Sequence, residues 1–306
     1  MSTANETRRN QAKSKKHKRE QLNGHAKDDA SLKAKSSKKK KSGKSKLSAK
    51  TADIYDLYER SVQDPESEVK LLDRTFKKLL GRRALSLRED FCGTALLCAT
   101  WVKSHPDRTA TGVDLDANVL ESGRTRHLPP LGDAAERVTL LQEDVRARRS
   151  ERFDVVCAYN FSYWIFTTRD AMVEYFSAVC EAVADDGIFA LDAYGGTEAM
   201  EAREEYRKVK GGFTYVWDQA SFNPIDHYAQ NYIHFHFKDG TKLNKAFSYA
   251  WRFWSLPEIR ELLLEAGFKD VSVYWDIADD DEDSDYRARK VVDNQPSWVC
   301  YLIARK

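Results

Sequence analysis

Three acidic side chains stand where carboxylates can do recognition chemistry. Glu89 lies in the run Glu89-Asp90-Phe91-Cys92-Gly93-Thr94-Ala95, Asp114 in Gly112-Val113-Asp114-Leu115-Asp116, and Asp144 in Gln142-Glu143-Asp144-Val145. Each comes at the end of a short apolar run that reads as a strand. Asp114 follows Gly93 by roughly 20 residues, the separation at which a carboxylate accepts hydrogen bonds from ribose hydroxyls in nucleotide-binding sheets. A carboxylate at Asp144 can accept from an exocyclic adenine amine while the next backbone N–H, that of Val145, donates to a ring nitrogen. A fourth strand end carries Tyr159-Asn160-Phe161-Ser162-Tyr163-Trp164, polar and aromatic, where a reacting group would lie.

The elements that must position these residues alternate. Ala84–Asp90, Thr109–Leu115, Val138–Gln142, Phe153–Tyr159 and Ile188–Ala193 read as strands. Helices are predicted over Ala95–Lys103, from Ala117, and over Asp170–Ala184 with Gly187 as its stop. That alternation implies parallel strands with crossover helices, an open doubly wound α/β sheet, whose ligands bind at the carboxyl ends of the strands. Ahead of it, Val69, Leu72, Phe76, Leu79 and Leu80 recur at helical spacing before Gly81. Behind it, the spacing predicts a short helix near Thr197–Arg207. Aromatic alternating segments then follow at Gly212–Gln219, His227–Phe237 and Lys242–Trp254, with Asp239-Gly240 as a hairpin turn. Residues 205–254 therefore read as an antiparallel insertion. Ser255-Leu256-Pro257-Glu258 is a capping box opening a helix that ends at Ala266-Gly267-Phe268, and Val271–Trp275 with Ser297–Ile303 form a final hairpin.

Charge is uneven along the 306 residues. Residues 1–50 hold 17 Lys/Arg and 4 Asp/Glu, whereas the remainder holds 33 and 44. The tail, with Lys38-Lys39-Lys40-Lys41, lacks the apolar residues to offset ordering entropy and is predicted to be disordered. It is either an arm for nucleic acid or another polyanion, or a solubilising extension. Asp279–Asp283 reads as an exposed acidic loop. No run of about 18 apolar residues occurs, so no membrane helix is expected. No apolar segment of secretory type stands at the N-terminus, and the five cysteines form no Cys-x-x-Cys pair. These features point to a reducing, cytoplasmic setting, or a nuclear one given the Lys-rich tail. They leave the oligomeric state open.

The strand-end acids and their topology resemble the class I S-adenosylmethionine-dependent methyltransferases, over roughly residues 53–306. The resemblance implies a Rossmann-like seven-stranded sheet with a reversed final hairpin. It also implies S-adenosylmethionine as cofactor, with Glu89 toward the methionine part, Cys92 and Gly93 in the turn, Asp114 and Leu115 at the ribose, and Asp144 and Val145 at the adenine. The family's three turn glycines fall on Phe91, Gly93 and Ala95. Losing the first glycine tells more against a dinucleotide, whose pyrophosphate must touch bare backbone, than against a donor without phosphate. Asn160-Phe161-Ser162-Tyr163, Leu191-Asp192-Ala193-Tyr194-Gly195-Gly196 and the insertion look like the glycine and sugar N-methyltransferase branch, which implies Asn160 near the methionine end and an insertion covering the substrate.

Methyl transfer needs alignment and exclusion of water more than acid–base chemistry. Aromatic rings near a sulfonium or an ammonium add attraction. The candidates are Tyr55, Tyr58, Tyr163, Trp164, Trp217, Tyr232 and Trp251, with Arg252 as partner for a substrate carboxylate or a surface strand residue. His234, sharing a strand face with His236 and Tyr232, is a candidate base or simply part of a half-exposed face; no third ligand for a metal is evident. The expected acceptor is a small-molecule amine or related metabolite. The alternatives are RNA or protein docked by the tail, or a cofactor-binding module without catalysis.

Overall fold

The computed structural model describes residues 47–278 and 284–306. The Lys-rich segment through residue 46 and the acidic Asp279–Asp283 lie outside the described residues. The first helices are α1 (Ile54–Val62) and α2 (Pro65–Leu80), each opened by an Asp N-cap, Asp53 and Asp64. Gly81 closes α2 in the left-handed conformation, as its position in the sequence predicts.

The central sheet then builds from β1 (Ser86–Asp90), β2 (Thr109–Asp114), β3 (Val138–Gln142), β4 (Phe153–Ala158) and β5 (Val183–Gly195). All five are parallel and lie in the order β5-β4-β1-β2-β3. The crossover helices are α3 (Leu96–Lys103), α4 (Ala117–Arg126) and α5 (Arg169–Ala182). Residues of α2, α3 and α4, including Phe76, Trp101 and Leu120, pack with Leu87, Val155 and Ile188 in one core. On the other side Tyr175, Phe176 and Val179 of α5 pack with Val156, Phe189 and Leu191. Covering both faces in this way is what buries a parallel sheet.

α5 stops before Gly187, the predicted terminator. Val183 already pairs with Phe153, so β5 begins directly at the helix end. Gly187 instead serves close packing, since a Cβ there would press on Val183 and on the Phe153 and Asp154 carbonyl oxygens.

The predicted helix near Thr197–Arg207 is also absent. Residues 197–200 form a turn, and β6 (Arg203–Val209) pairs antiparallel with β7 (Phe213–Phe222), Arg203 opposite Gln219 and Val209 opposite Phe213. Glu, Met and Arg favour helix locally, but pairing to a formed neighbour overrides that weak preference. With β8 (Tyr228–Phe237) and β9 (Lys242–Arg252) the result is a separate sheet, β6-β7-β8-β9. Leu57 of α1 packs against its Phe213, Ile233, Phe235 and Phe237. Leu47 and Ala49, from the segment read as tail, join that cluster, and the Ala49 amide donates to Thr241 Oγ1 at 3.0 Å.

The capping box at Ser255–Glu258 opens α6 (Leu256–Glu265) as predicted. β10 (Asp270–Asp276), β11 (Tyr286–Arg289) and β12 (Trp298–Arg305) complete the central sheet. β12 inserts antiparallel between β5 and β10, which gives the reversed hairpin. Short β11 adds an eighth strand at the edge, beyond the seven that the sequence predicts.

Candidate active site

The turn after β1 is held in an unusual backbone. Phe91, Gly93 and Ala95 all have positive φ, 57°, 55° and 56°. Phe91 therefore adopts the conformation a glycine would supply, at a cost of about 1 kcal/mol. Its ring is fixed against Phe166 and Tyr175, with centroids 6.1 and 5.7 Å away. The Gly93 amide donates to Asp114 Oδ2 at 2.9 Å, and the Asp116 amide to Asp114 Oδ1 at 3.0 Å. Asp114 thus ties the first turn to the second while keeping lone pairs toward the cleft.

Glu89, buried at the end of β1, accepts from the Cys98 amide in the first turn of α3 at 3.1 Å and from Cys98 Sγ at 3.0 Å. Burial pushes its carboxyl up to about 7; the Cys98 bonds oppose this, and the Asp114 and Asp90 charges add to it. Glu59 of α1 accepts from Thr94 Oγ1 at 2.6 Å and Arg126 Nη2 at 3.1 Å, and lies 2.8 Å from His127 Nε2. Burial works against its ionisation, but those partners hold it below the ordinary carboxylate range. The latch sets α1, and with it Tyr55 and Tyr58, over the turn.

Asn160 and Phe161 after β4 are both left-handed, each with φ of 57°. The buried Asp192 of β5 accepts their two amides at 2.8 and 2.9 Å and so stabilises a strained pair. Its own burial pushes its carboxyl up to about 7 against those two bonds.

Two cavities meet at this turn. The first, about 230 Å³, lies over the strand ends and takes in Tyr55, Gln63, Glu89, Gly93, Asp114 and Asp116 among its walls. The second, about 220 Å³, lies beneath the antiparallel sheet and is walled by Tyr194, Tyr215, Trp217 and Trp251, with Glu205 and Gln219. Tyr58, Asn160 and Tyr249 line both. Among the described residues the first cleft presents three carboxylates and no Lys, Arg or His. Such a wall attracts a cation and repels phosphate. Tyr159 Oη and Gln63 Oε1, both on that wall, are buried without a hydrogen-bond partner among the described residues. Buried polar atoms of this kind await a ligand or water. A ligand bearing a sulfonium, an ammonium and a ribose diol fits this donor and acceptor set.

Of the residues singled out from sequence, Glu89, Gly93, Asp114, Asn160, Tyr55, Tyr58, Trp217 and Trp251 are brought to the two cavities. The others are placed elsewhere. Asp144 is gripped by Arg146, with Nη2 to Oδ2 at 2.7 Å, and lines neither cavity. Val145 is buried, its carbonyl accepting from Arg88, which is itself ion-paired with Asp90. Cys92 is buried behind the turn, and Leu115 is exposed beside Asp114 without lining the cleft. Tyr163 is fully buried and donates to the Asp192 carbonyl at 2.8 Å. Trp164 stands behind the second cavity, stacked on Tyr194. Tyr232 packs under the Lys245 ammonium, and Arg252 pairs with Glu258 and lies over Trp254. Tyr249 and Gln63 escaped the sequence reading. Tyr249 sits on the same strand face as Trp251, a signal that period-2 spacing carries.

His234 faces away from both cavities. Its Nδ1 accepts the Lys245 amide at 2.8 Å, so the ring proton sits on Nε2, 3.1 Å from Asp218. Glu204, Asp218 and His234 offer ligand atoms within 4.8 Å of one another, but this tautomer leaves no imidazole lone pair for a cation.

Residues 92–189 match the family model of a methyltransferase domain. Solved structures share the fold across most of the chain. An S-adenosylmethionine-dependent methyltransferase from Clostridium acetobutylicum is 16% identical, covers 82% of this chain and 96% of its own, and superposes with a TM-score of 0.61. The S-adenosylmethionine-bound amino pentose methyltransferase from Micromonospora echinaspora is 15% identical, covering 83% and 98% with a TM-score of 0.61. The sugar N-methyltransferase from a Streptoalloteichus species is 14% identical, covering 93% and 100% with a TM-score of 0.57. No curated protein matches the sequence. Residues 92–189 thus match a methyltransferase domain, and the chain shares the fold of these S-adenosylmethionine-dependent methyltransferases. No described helix is long and apolar enough to cross a membrane.

Proposed function

We propose that the protein transfers a methyl group from S-adenosylmethionine to the nitrogen of a small molecule. The observation that carries this reading is the pair of abutting cavities, one lined by acids and one by aromatic rings, with Asn160, Tyr58 and Tyr249 at their junction. S-adenosylmethionine supplies a methyl carbon already activated by its sulfonium. Asp114 receives the ribose hydroxyls, and Glu89 and Gln63 the methionine ammonium. Tyr58 and Tyr249 close the junction to water, and burial raises both phenols, so they remain neutral donors and acceptors. Asn160 orients the reacting groups from a turn that Asp192 fixes. Orientation in a dry junction supplies most of the acceleration, so no strong base is required.

A small acceptor suits these cavities better than nucleic acid does, since among the described residues no Lys or Arg lines either of them to meet a phosphate. Calorimetry with S-adenosylmethionine and S-adenosylhomocysteine, followed by homocysteine-coupled turnover on a panel of amines, tests the reading. Saturable cofactor binding with amine-dependent turnover supports it. Absence of cofactor binding, or turnover only on a polymer, refutes it.

A further inference from the structure

The second cavity carries an unusual balance of groups. Seven aromatic rings line it, those of Phe161, Tyr58, Tyr194, Tyr215, Trp217, Tyr249 and Trp251. Among the described residues its only charged lining group is the carboxylate of Glu205, which stands at the rim 3.3 Å from Arg203 Nη2. The rings are coupled to one another: Tyr249 lies 4.5 Å from Trp251 and Trp217 lies 6.1 Å from Trp251, measured between centroids. Their hydroxyls stay un-ionised, because burial raises Tyr58, Tyr194, Tyr215 and Tyr249. Arg207 lies over the Tyr215 ring and is anchored on the Ser61 carbonyl, but it does not line the box.

An anionic substrate group would find no cation lining the box among the described residues, Arg203 being held by Glu198 and Glu205, and would face Glu205. A strongly hydrated primary ammonium would surrender its water for few fixed acceptors. A large, weakly hydrated cation loses little water and gains from every ring face. We infer that this box binds a tertiary or quaternary ammonium group, so that the protein completes the methylation of a small tertiary amine that carries no phosphate. The inference rests on the methyl-transfer reading for its chemistry, though not for its binding site. The ammonium proton of the acceptor passes to Glu205 or to water. The freed nitrogen lone pair then forms the N–C bond as the C–S bond breaks with its electrons going to sulfur. The product nitrogen is cationic and the sulfur neutral, so charge balances.

Titration of tetramethylammonium chloride into the full-length protein, followed by tryptophan fluorescence and with sodium chloride and ammonium chloride at matched ionic strength, tests the binding. A saturable change is expected for tetramethylammonium alone, at least about tenfold tighter than for ammonium. Glu205→Gln, at a half-exposed site whose loss should leave the fold intact, should weaken it several-fold, and Trp217→Leu more. Equal responses to all three salts, or a response unchanged by Glu205→Gln, overturns the inference. Protein that binds S-adenosylmethionine but not tetramethylammonium refutes the box alone. Protein that binds tetramethylammonium but not S-adenosylmethionine refutes the methyl-transfer reading and leaves the box standing.

Discussion

The two cavities share a wall yet are built on opposite principles. The cleft over the parallel sheet takes its character from backbone: left-handed residues at Phe91, Gly93, Ala95, Asn160 and Phe161, held by packed rings at Phe91, by Asp114 at Gly93, by the Cys92 carbonyl at Ala95 and by Asp192 at Asn160 and Phe161. The box beneath the antiparallel sheet takes its character from side chains projecting from β7, β8 and β9. Strand-end turns fix a few atoms closely and tolerate little change. A sheet face can exchange one ring for another and reshape its contents.

The sharpest way to break the comparison is to remove a support from the rigid side. Asp192→Ala frees two amides in a strained turn, so stability should fall by about 2–4 kcal/mol. Methyl transfer should fall by about 100-fold through misplacement of Asn160. Thermal denaturation and single-turnover rates read the two effects. A rate preserved at full occupancy would remove the turn from the mechanism.

Next in size is the ribose contact. Asp114→Ala should weaken S-adenosylmethionine binding by about 1.5–3 kcal/mol, the usual loss for hydrogen bonds to a charged group. Calorimetry measures it, and an unchanged affinity would move the cofactor elsewhere. The box should be spared, so tetramethylammonium binding by this variant separates the two regions directly.

A smaller effect concerns pH. The carboxyl of Glu89 is raised to about 7 in the folded protein, so its protonated form is the one that folding favours. That contribution to stability is complete below the unfolded carboxylate value and is lost as pH rises through about 7; Asp192 acts in the same direction. A bound cation prefers the ionised carboxylate. The free protein should therefore melt lower as pH rises from 6 to 8, on the order of the range these groups titrate over, while the stabilisation given by S-adenosylmethionine grows. Glu89→Gln should flatten that growth. An equal ligand effect at both ends of the range would detach Glu89 from the cofactor.

The same contrast explains what the sequence disclosed. Parallel strands, crossover helices, the capping box and the reversed hairpin follow from periodicity and stop signals, so most of the fold was legible. So were Glu89, Gly93, Asp114 and Asn160, because strand-end position alone determines where they point. Asp144 lines neither cavity because its neighbour two residues on, Arg146, captures it, and sequence gives no sign of which partner a carboxylate takes. Tyr163 and Trp164 lie in the core because a short 3₁₀ turn over Ser162–Ile165 rotates both inward. β6 was missed since its side chains are largely exposed and its stability comes from pairing, which lies outside the local sequence.

The smallest expected effect sits at His234, and it tests whether the antiparallel sheet contributes a base. Lys245 has φ of 51°, and the β8–β9 register shifts between Ile233 and Phe235. His234 accepts the Lys245 amide at that irregularity and holds Asp218 with its other nitrogen. It therefore closes a bulge, a device that bends a strand and re-aims its neighbours. His234→Ala should cost about 1–2 kcal/mol of stability from the unpaired amide and carboxylate. Turnover at saturation should stay within about twofold at every pH, a change of under 0.5 kcal/mol in the barrier. A catalytic base would instead give a loss that grows as pH falls and is partly restored by added imidazole. Melting and a pH–rate profile of the variant distinguish the two, because a bulge closure lowers the melting temperature without altering the shape of the profile.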